Sequence, residues 1–123
     1  MARILVADDD ADIRDLIEFK LSMLGHDVVT VTNAASALDE ARAQRPDLAI
    51  FDVMMPGMSG LDALRAIRED ALLDDVPVIL LTARTRETDV ETGFTTGADD
   101  YITKPFSPRE LALRVNALLM RAR

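Results

Sequence analysis

Short aliphatic runs alternate along the chain with longer stretches in which apolar residues recur every three or four positions. Five runs are candidate strands, and several of them are apolar at consecutive rather than alternate positions. The runs cover residues 4–7, 28–31, 48–51, 78–81 and the weaker 101–103. Consecutive apolar positions are typical of strands buried on both faces, so the pattern favours a parallel sheet with helices on each side.

The stretches between the runs predict amphipathic helices. In the first helix, apolar residues at helical spacing form one stripe of Ile13, Leu16, Ile17, Leu21 and Leu24. Gly25 follows this stripe as a stop signal. A second helix is predicted over residues 34–44, with Asn33 as its cap and Pro46 preventing its continuation.

Two of the remaining helices also have signals at their first residues. Ser59 can cap the third helix, whose shared apolar face is made of Leu61, Leu64 and Ile67. A solvated face is expected on the same helix at Arg65, Arg68, Glu69 and Asp70.

Ser107 and Glu110 form a capping box around Pro108, which opens a fifth helix with a stripe of Leu111, Val115, Leu118 and Leu119. A fourth helix, over residues 87–96, is rich in threonine and lacks a clear stripe.

Strand and helix alternate five times in this pattern, and neither an internal repeat nor a linker interrupts it. We therefore predict a single α/β domain over residues 1–123, with a doubly wound five-stranded parallel sheet and five helices.

Charge and composition narrow the partners. The chain has 14 Lys and Arg against 22 Asp and Glu, a formal net charge of −8, which disfavours direct binding to nucleic acid. It contains no cysteine, so disulfides and thiolate metal sites are excluded. We expect no membrane span, which would need about 20 unbroken apolar residues. We also expect no secretory signal, because the apolar run near the N-terminus is short and three aspartates follow it directly. The expected location is cytoplasmic, without membrane association.

Polar side chains follow the predicted strands directly. Asp8, Asp9 and Asp10 follow the first strand, and three other strands are followed by Asp52, Thr82 and Lys104. In doubly wound sheets, ligands bind beyond the carboxyl ends of the strands. We therefore expect these side chains at one edge of the sheet.

This set of residues favours a hard metal ion and phosphoryl transfer. Carboxylates brought close together repel one another unless a proton or a cation joins them. Oxygen ligands without histidine or cysteine suit Mg²⁺. Beside such an ion, Asp52 could act as a nucleophile that forms an acyl phosphate, with Lys104 and Thr82 contacting phosphoryl oxygens.

Four motifs together resemble the receiver domain of bacterial two-component response regulators. They are Val-Ala-Asp-Asp-Asp at residues 6–10, Phe-Asp-Val-Met-Met-Pro-Gly at 51–57, Leu-Thr-Ala at 81–83 and Gly-Ala-Asp-Asp-Tyr-Ile-Thr-Lys-Pro-Phe at 97–106. The resemblance covers essentially the whole chain and is nearest to receivers that precede a winged-helix DNA-binding domain. It implies a flavodoxin-like sheet with strand order 2-1-3-4-5.

The resemblance also implies how a phosphoryl group and a metal are held. Asp52 would accept the phosphoryl group from a phosphohistidine of a sensor histidine kinase or phosphotransfer protein. Asp9, Asp52 and the backbone carbonyl of Met54 would bind Mg²⁺, and Asp8 would act mainly through a coordinated water. Lys104 would pair with Asp52 and then with the phosphate. The peptide bond between Lys104 and Pro105 would be cis.

Two further residues are implied as the switch. Thr82 would swing toward the phosphoryl oxygen, and Tyr101 would move inward into the space that Thr82 vacates. The change would reach the face made by the fourth helix, fifth strand and fifth helix, which controls an effector or partner. Pairing of two phosphorylated copies through this face fits Asp99, Asp100, Glu110 and Arg114, whereas Val90, Thr95 and Asn116 stand where charged partners are usual.

Two other functions are compatible with parts of the sequence. A Mg²⁺-dependent phosphohydrolase would use the acids of Asp8-Asp9-Asp10, but its usual following Thr or Val is missing and no insertion is long enough for a substrate cap. A pseudo-receiver that never accepts phosphate would lack an acid, the acceptor or the lysine, and none is missing. We therefore expect no enzymatic activity beyond self-phosphorylation and autodephosphorylation.

Overall fold

Strands and helices alternate throughout the described part of the chain. The computed structural model describes residues 1–83 and 96–121, which contain five strands and four helices. The strands are β1 (Arg3–Ala7), β2 (Asp27–Val31), β3 (Leu48–Asp52), β4 (Val78–Ala83) and β5 (Asp100–Lys104). The helices are α1 (Ala11–Met23), α2 (Ala34–Ala43), α3 (Gly60–Glu69) and α4 (Pro108–Arg121), the last being the predicted fifth helix. Residues 87–95 of the predicted fourth helix lie outside the described residues.

All four strand pairings are parallel, and the sheet has the flavodoxin-like order β2-β1-β3-β4-β5. This confirms the predicted sheet. From β1 the chain first moves outward to β2 and then returns to build β3, β4 and β5 on the other side. The strand order therefore reverses between β1 and β3, which is where open α/β sheets form their ligand crevice.

Both faces of the sheet are covered, as the consecutive apolar runs predicted. Alternate strand residues such as Ala7, Phe51 and Leu80 pack with α2 and α3, through Ala34, Ala37, Leu38, Ala63, Leu64 and Ile67. The other face, with Val6 and Ile50, packs against α1 and α4 through Ile17, Leu21, Leu111, Val115 and Leu118. Because nearly all residues of β1, β3 and β4 are buried, the polar residues at the ends of these strands extend from a packed core.

The helices begin at the residues that carry capping signals. Asn33 accepts the N–H of Ser36 at the start of α2, and Ser59 forms a reciprocal capping box with Asp62 at the start of α3. Ser107 Oγ accepts the N–H of Glu110 at 3.0 Å in the first turn of α4. No helix within residues 1–83 and 96–121 is long and apolar enough to cross a membrane.

Arg68 does not lie on a solvated face, and the prediction for this residue was wrong. Its guanidinium is mostly buried and donates to the carbonyls of Gly97 at 2.9 Å and Val76 at 2.7 Å. It also pairs with Asp99 at 2.9 Å, and Asp99 in turn accepts the N–H of Val78 at 2.8 Å. Arg68 therefore joins the end of α3 to the start of β4 and to the turn before β5.

Candidate functional site

The register of the sheet places the polar strand-end residues on one edge. Ala7 of β1 pairs with Phe51 of β3, so the residues that follow them, Asp8 and Asp52, leave neighbouring strands at the same level. Lys104 closes β5 opposite the last residue of β4, Ala83. Parallel pairing therefore brings together groups that are far apart in the sequence.

Three carboxylates form a compact cluster at this edge. One side-chain oxygen from each of Asp8, Asp9 and Asp52 lies within 4.8 Å of the other two. Asp8 is fully buried and Asp52 is 5% exposed, whereas Asp9 is exposed. The predicted group of acids is therefore present, with two buried members and one that is open to solvent.

Asp10, the third acid of the run, does not belong to this cluster. Its carboxylate caps α1 and accepts the backbone N–H groups of Asp12 at 2.9 Å and Ile13 at 3.3 Å. The Asp10 N–H donates to Asp8 Oδ1 at 3.0 Å. The run of three aspartates therefore divides into two site residues and one capping residue.

Lys104 is the cation of the cluster. Its Nζ lies 2.9 Å from Asp8 Oδ2 and 3.2 Å from Asp52 Oδ2. Burial by itself would lower the pKa of Lys104, but the hydrogen bond and charge of Asp8 and the charge of Asp52 outweigh it and raise the pKa above its usual value. The lysine is therefore held in its charged form between two carboxylates.

Asp52 has a strongly perturbed carboxyl group. Burial, followed by the negative charge of Asp8, raises the pKa of Asp52 from 3.8 to about 6. Lys104 and the backbone N–H of Met54, which lies 3.3 Å from Asp52 Oδ1, act in the opposite direction without cancelling the effect. At neutral pH, Asp52 is thus a carboxylate held in an unfavourable environment that a bound cation would relieve.

The cluster fits a divalent metal ion. Ionised together, its three carboxylates and one ammonium carry a net charge of −2. Asp8 Oδ2 is buried, and the ammonium of Lys104 at 2.9 Å is the partner that the described residues offer it. All candidate ligand atoms are oxygens, the preferred ligands of Mg²⁺.

Thr82 follows Leu81, the residue of β4 that pairs with Asp52, whereas Tyr101 of β5 pairs with Leu80. Thr82 is buried and its hydroxyl contacts the carbonyl of Ala83 at 3.4 Å. Tyr101 is 9% exposed and belongs to the apolar cluster that faces α2 and α3, so its side chain is already inward. The Lys104–Pro105 peptide bond is cis, as the family resemblance implied.

The acidic and basic residues that were expected to pair two copies are paired within the chain. Arg114 contacts both carboxylate oxygens of Asp100 at 3.0 Å and Glu110 at 3.2 Å. Asp99 is held by Arg68 and lies 3.7 Å from Arg121. Asn116 is exposed on α4. Val90 and Thr95 lie outside the described residues.

Arg14 contacts the backbone of the site, and the sequence analysis missed this residue. Its side chain, on the second turn of α1, donates from Nη1 to the backbone carbonyl of Asp8 at 2.9 Å. One signal could have drawn attention to it, because a cation near a helix N-terminus opposes the helix dipole and needs a compensating contact.

Comparisons with known proteins agree with the geometry. A family profile described as "Response regulator receiver domain" matches residues 4–116. The DNA-binding response regulator MtrA of Mycolicibacterium paratuberculosis is 45% identical over 119 residues, which cover 97% of this chain and 52% of that protein. The phosphate regulon transcriptional regulatory protein PhoB of Klebsiella pneumoniae is 44% identical over 119 residues, with the same two shares.

A solved structure of a receiver domain is also similar. The receiver domain of the Francisella response regulator 1452 superposes with a TM-score of 0.91 at 35% identity, over 100% of both chains. The chain spans about half the length of the two curated relatives.

Proposed function

This chain belongs to the response regulator receiver domain family, and on that premise we propose that it is the phosphoacceptor switch of a two-component phosphorelay. In the proposed reaction, a sensor histidine kinase or a phosphotransfer protein presents a phosphohistidine, and Asp52 accepts the phosphoryl group with Mg²⁺ present. The domain is a switch, with no chemistry beyond its own phosphorylation and dephosphorylation.

The environment of Asp52 carries this proposal. Its carboxylate is nearly buried, has a pKa raised to about 6 and lies 3.2 Å from the ammonium of Lys104. It also lies within 4.8 Å of carboxylate oxygens of Asp8 and Asp9. A destabilised carboxylate beside a lysine and a divalent-cation site has the arrangement that phosphoryl transfer to a carboxylate needs.

The proposed step forms one bond and breaks one bond. A carboxylate oxygen of Asp52 bonds to phosphorus as the bond between phosphorus and the donor imidazole nitrogen breaks. The electron pair of that bond leaves with the imidazole, which takes up a proton. Lys104, now beside Asp52, would pair with a phosphoryl oxygen. Asp9, Asp52 and the Met54 carbonyl would hold Mg²⁺, with Asp8 acting through a coordinated water.

A bound Mg²⁺ would supply charge neutralisation for the incoming phosphoryl oxygens. The excess negative charge of the cluster, whose three carboxylates face a single ammonium, supports a place for Mg²⁺ among these oxygens.

The output of the switch is proposed by similarity. Thr82 would hydrogen-bond a phosphoryl oxygen, and Tyr101 would be held inward beside it. This change would reach the face that contains β5 and α4, and hence an effector or a partner. The relatives MtrA and PhoB are regulators about twice as long as this chain, and MtrA is described as DNA-binding. A DNA-binding effector is therefore the output that we favour.

The phosphohydrolase alternative has less support. Its two acids would be Asp8 and Asp10, but Asp10 is engaged by the backbone of α1 as a cap. The acid that lies close to Asp8 is instead Asp52, from the end of β3.

The proposal is tested by intact-mass spectrometry after incubation with acetyl phosphate. With Mg²⁺ we expect the wild-type chain to gain the mass of one phosphoryl group, and with EDTA we expect no gain. The Asp52→Asn variant should gain nothing, whereas the exposed Asp39→Asn control should behave as wild type. A wild-type chain that stays unmodified in Mg²⁺ would contradict the proposal.

A further inference from the structure

The Asp8 carbonyl belongs to the peptide group that links Asp8 to Asp9, and a side chain from α1 holds it. Arg14 Nη1 donates to this oxygen at 2.9 Å, in a partly buried contact that spans six residues of sequence. The backbone N–H of Arg14 donates at 3.0 Å to the carbonyl of Asp10, as expected for an α-helix. Arg14 therefore folds back from the helix over the two residues that separate Asp8 from α1.

The residues on either side of Asp9 are well anchored, but Asp9 is not. The Asp8 N–H donates to the carbonyl of Val31 at 3.2 Å, and Asp8 Oδ1 accepts the N–H of Asp10. The carboxylate of Asp9 is exposed and makes no hydrogen bond or ion pair with any residue in the described part of the chain. Its direction therefore depends on the orientation of its backbone.

We propose that Arg14 is a positioning residue that orients Asp9 for divalent-cation binding. By fixing the peptide plane between Asp8 and Asp9, the guanidinium keeps the Asp9 carboxylate within 4.8 Å of the carboxylate oxygens of Asp8 and Asp52. Removing a group that holds a metal ligand in place commonly weakens metal binding about tenfold or more. The inference rests on the proposed function, because it assumes that this cluster takes up Mg²⁺.

The sign of the effect separates positioning from simple electrostatics. Arg14 carries a positive charge close to the acidic cluster, so it repels an incoming cation. If the charge were all that mattered, removing it would tighten Mg²⁺ binding. Loss of positioning has the opposite effect, because a mobile Asp9 pays an ordering cost when it binds.

The test compares Mg²⁺ dissociation constants from isothermal titration calorimetry of the full chain. We expect Arg14→Gln to weaken Mg²⁺ binding about tenfold, and Arg14→Lys, which keeps a charged donor, to recover more than half of the loss on a logarithmic scale. The exposed Arg65→Gln variant removes the same charge from α3, where Arg65 pairs only with Asp62 among described residues, and should stay within twofold of wild type. Binding by Arg14→Gln that equals or exceeds wild type would overturn the inference.

A metal-free measurement keeps this inference separable from the proposed function. In EDTA, amide hydrogen exchange followed by NMR should be at least severalfold faster at Asp10 in Arg14→Gln than in wild type, because the Asp10 N–H bond to Asp8 is in the same loop. Exchange in the centre of β3 should not change. If the wild-type chain binds no Mg²⁺, the proposed function fails. If exchange at Asp10 is the same in Arg14→Gln as in wild type, the positioning role fails, whatever the result with Mg²⁺.

Discussion

Gly60 packs directly on the backbone of Asp52. A Cβ atom added at Gly60 would lie only 2.2 Å from the Asp52 carbonyl oxygen, a distance that no side chain can occupy. The Gly60 N–H also donates to the carbonyl of Val53 at 3.1 Å. The start of α3 and the strand end that carries the candidate phosphoacceptor are therefore one packed unit.

Replacing Gly60 by alanine should destabilise the protein. Both sides of the close contact are backbone, so neither can move aside cheaply, and we expect Gly60→Ala to lower the free energy of unfolding by about 2–3 kcal/mol. Urea denaturation followed by circular dichroism measures this change.

Gly57→Ala is the comparison for this variant. Gly57 has a φ of +76° but no atom within 4 Å of its added Cβ, so only the backbone conformation is penalised, by about 1 kcal/mol. Equal losses for the two variants would show that the contact with Asp52 is unimportant.

The raised pKa of Asp52 predicts a pH-dependent stability difference between wild type and Asp52→Asn in metal-free buffer. The folded state binds the Asp52 proton more tightly than the unfolded chain. The resulting stability is fully present below pH 3.8 and is lost as the pH rises through about 6. Asparagine resembles the protonated acid, so Asp52→Asn should be more stable than wild type by about 1–3 kcal/mol at neutral pH.

Urea denaturation across this pH range checks the prediction. The advantage of Asp52→Asn should shrink toward zero as the pH falls below the ordinary value of 3.8. Asp39→Asn changes an exposed acid and should show no such trend. An Asp52→Asn protein that is less stable than wild type at neutral pH would contradict the electrostatic account.

Lys104 and a divalent cation should partly substitute for one another. In EDTA, Lys104→Gln leaves Asp8 and Asp52 without their shared ion pair, and the lost unfolding free energy should be about 1–3 kcal/mol, reduced because the lysine side chain is 24% exposed. Saturating Mg²⁺ should recover much of the loss.

Urea denaturation with and without Mg²⁺ distinguishes the loss of the Lys104 charge from a local packing defect. Lys20→Gln, on α1, serves as the control and should change stability little in either buffer. If Mg²⁺ fails to narrow the gap between Lys104→Gln and wild type, the lysine does not share its carboxylates with a metal.

Arg68 and Asp99 should be energetically coupled. Arg68→Gln and Asp99→Asn each remove one side of a mostly buried ion pair that also holds the start of β4. In a double-mutant cycle we expect a coupling energy of about 1–3 kcal/mol. The pair lies at the opposite end of the strands from Asp52, so acetyl phosphate should still modify both single variants. A coupling energy near zero would show that the ion pair between Arg68 and Asp99 does not contribute to holding α3 against the start of β4.

Local sequence signals predicted the strands, the described helices and the grouping of Asp8, Asp52 and Lys104. This worked because parallel strands end at a common edge, so the residue that follows each strand has a known place. Capping at Asn33 and Ser59 was equally predictable, because a cap bonds only to the first turn of its own helix.

Arg14 and Arg68 show where such prediction ends. Both side chains bond to backbone carbonyls that are brought near by the packing of helices on the sheet, and no local pattern encodes that approach. The helical periodicity that placed Arg68 on a polar face was correct in spacing. It could not indicate that the loops before β4 and β5 cover that face.

The most direct test of the central claim is chemical trapping of the acyl phosphate. Borohydride reduces an aspartyl phosphate to homoserine, and tandem mass spectrometry of the digested protein then identifies the modified position. After incubation with acetyl phosphate and Mg²⁺, the account predicts homoserine at position 52 alone. Homoserine at position 8 or 9, or no homoserine in a folded wild-type chain that retains Mg²⁺, would contradict it.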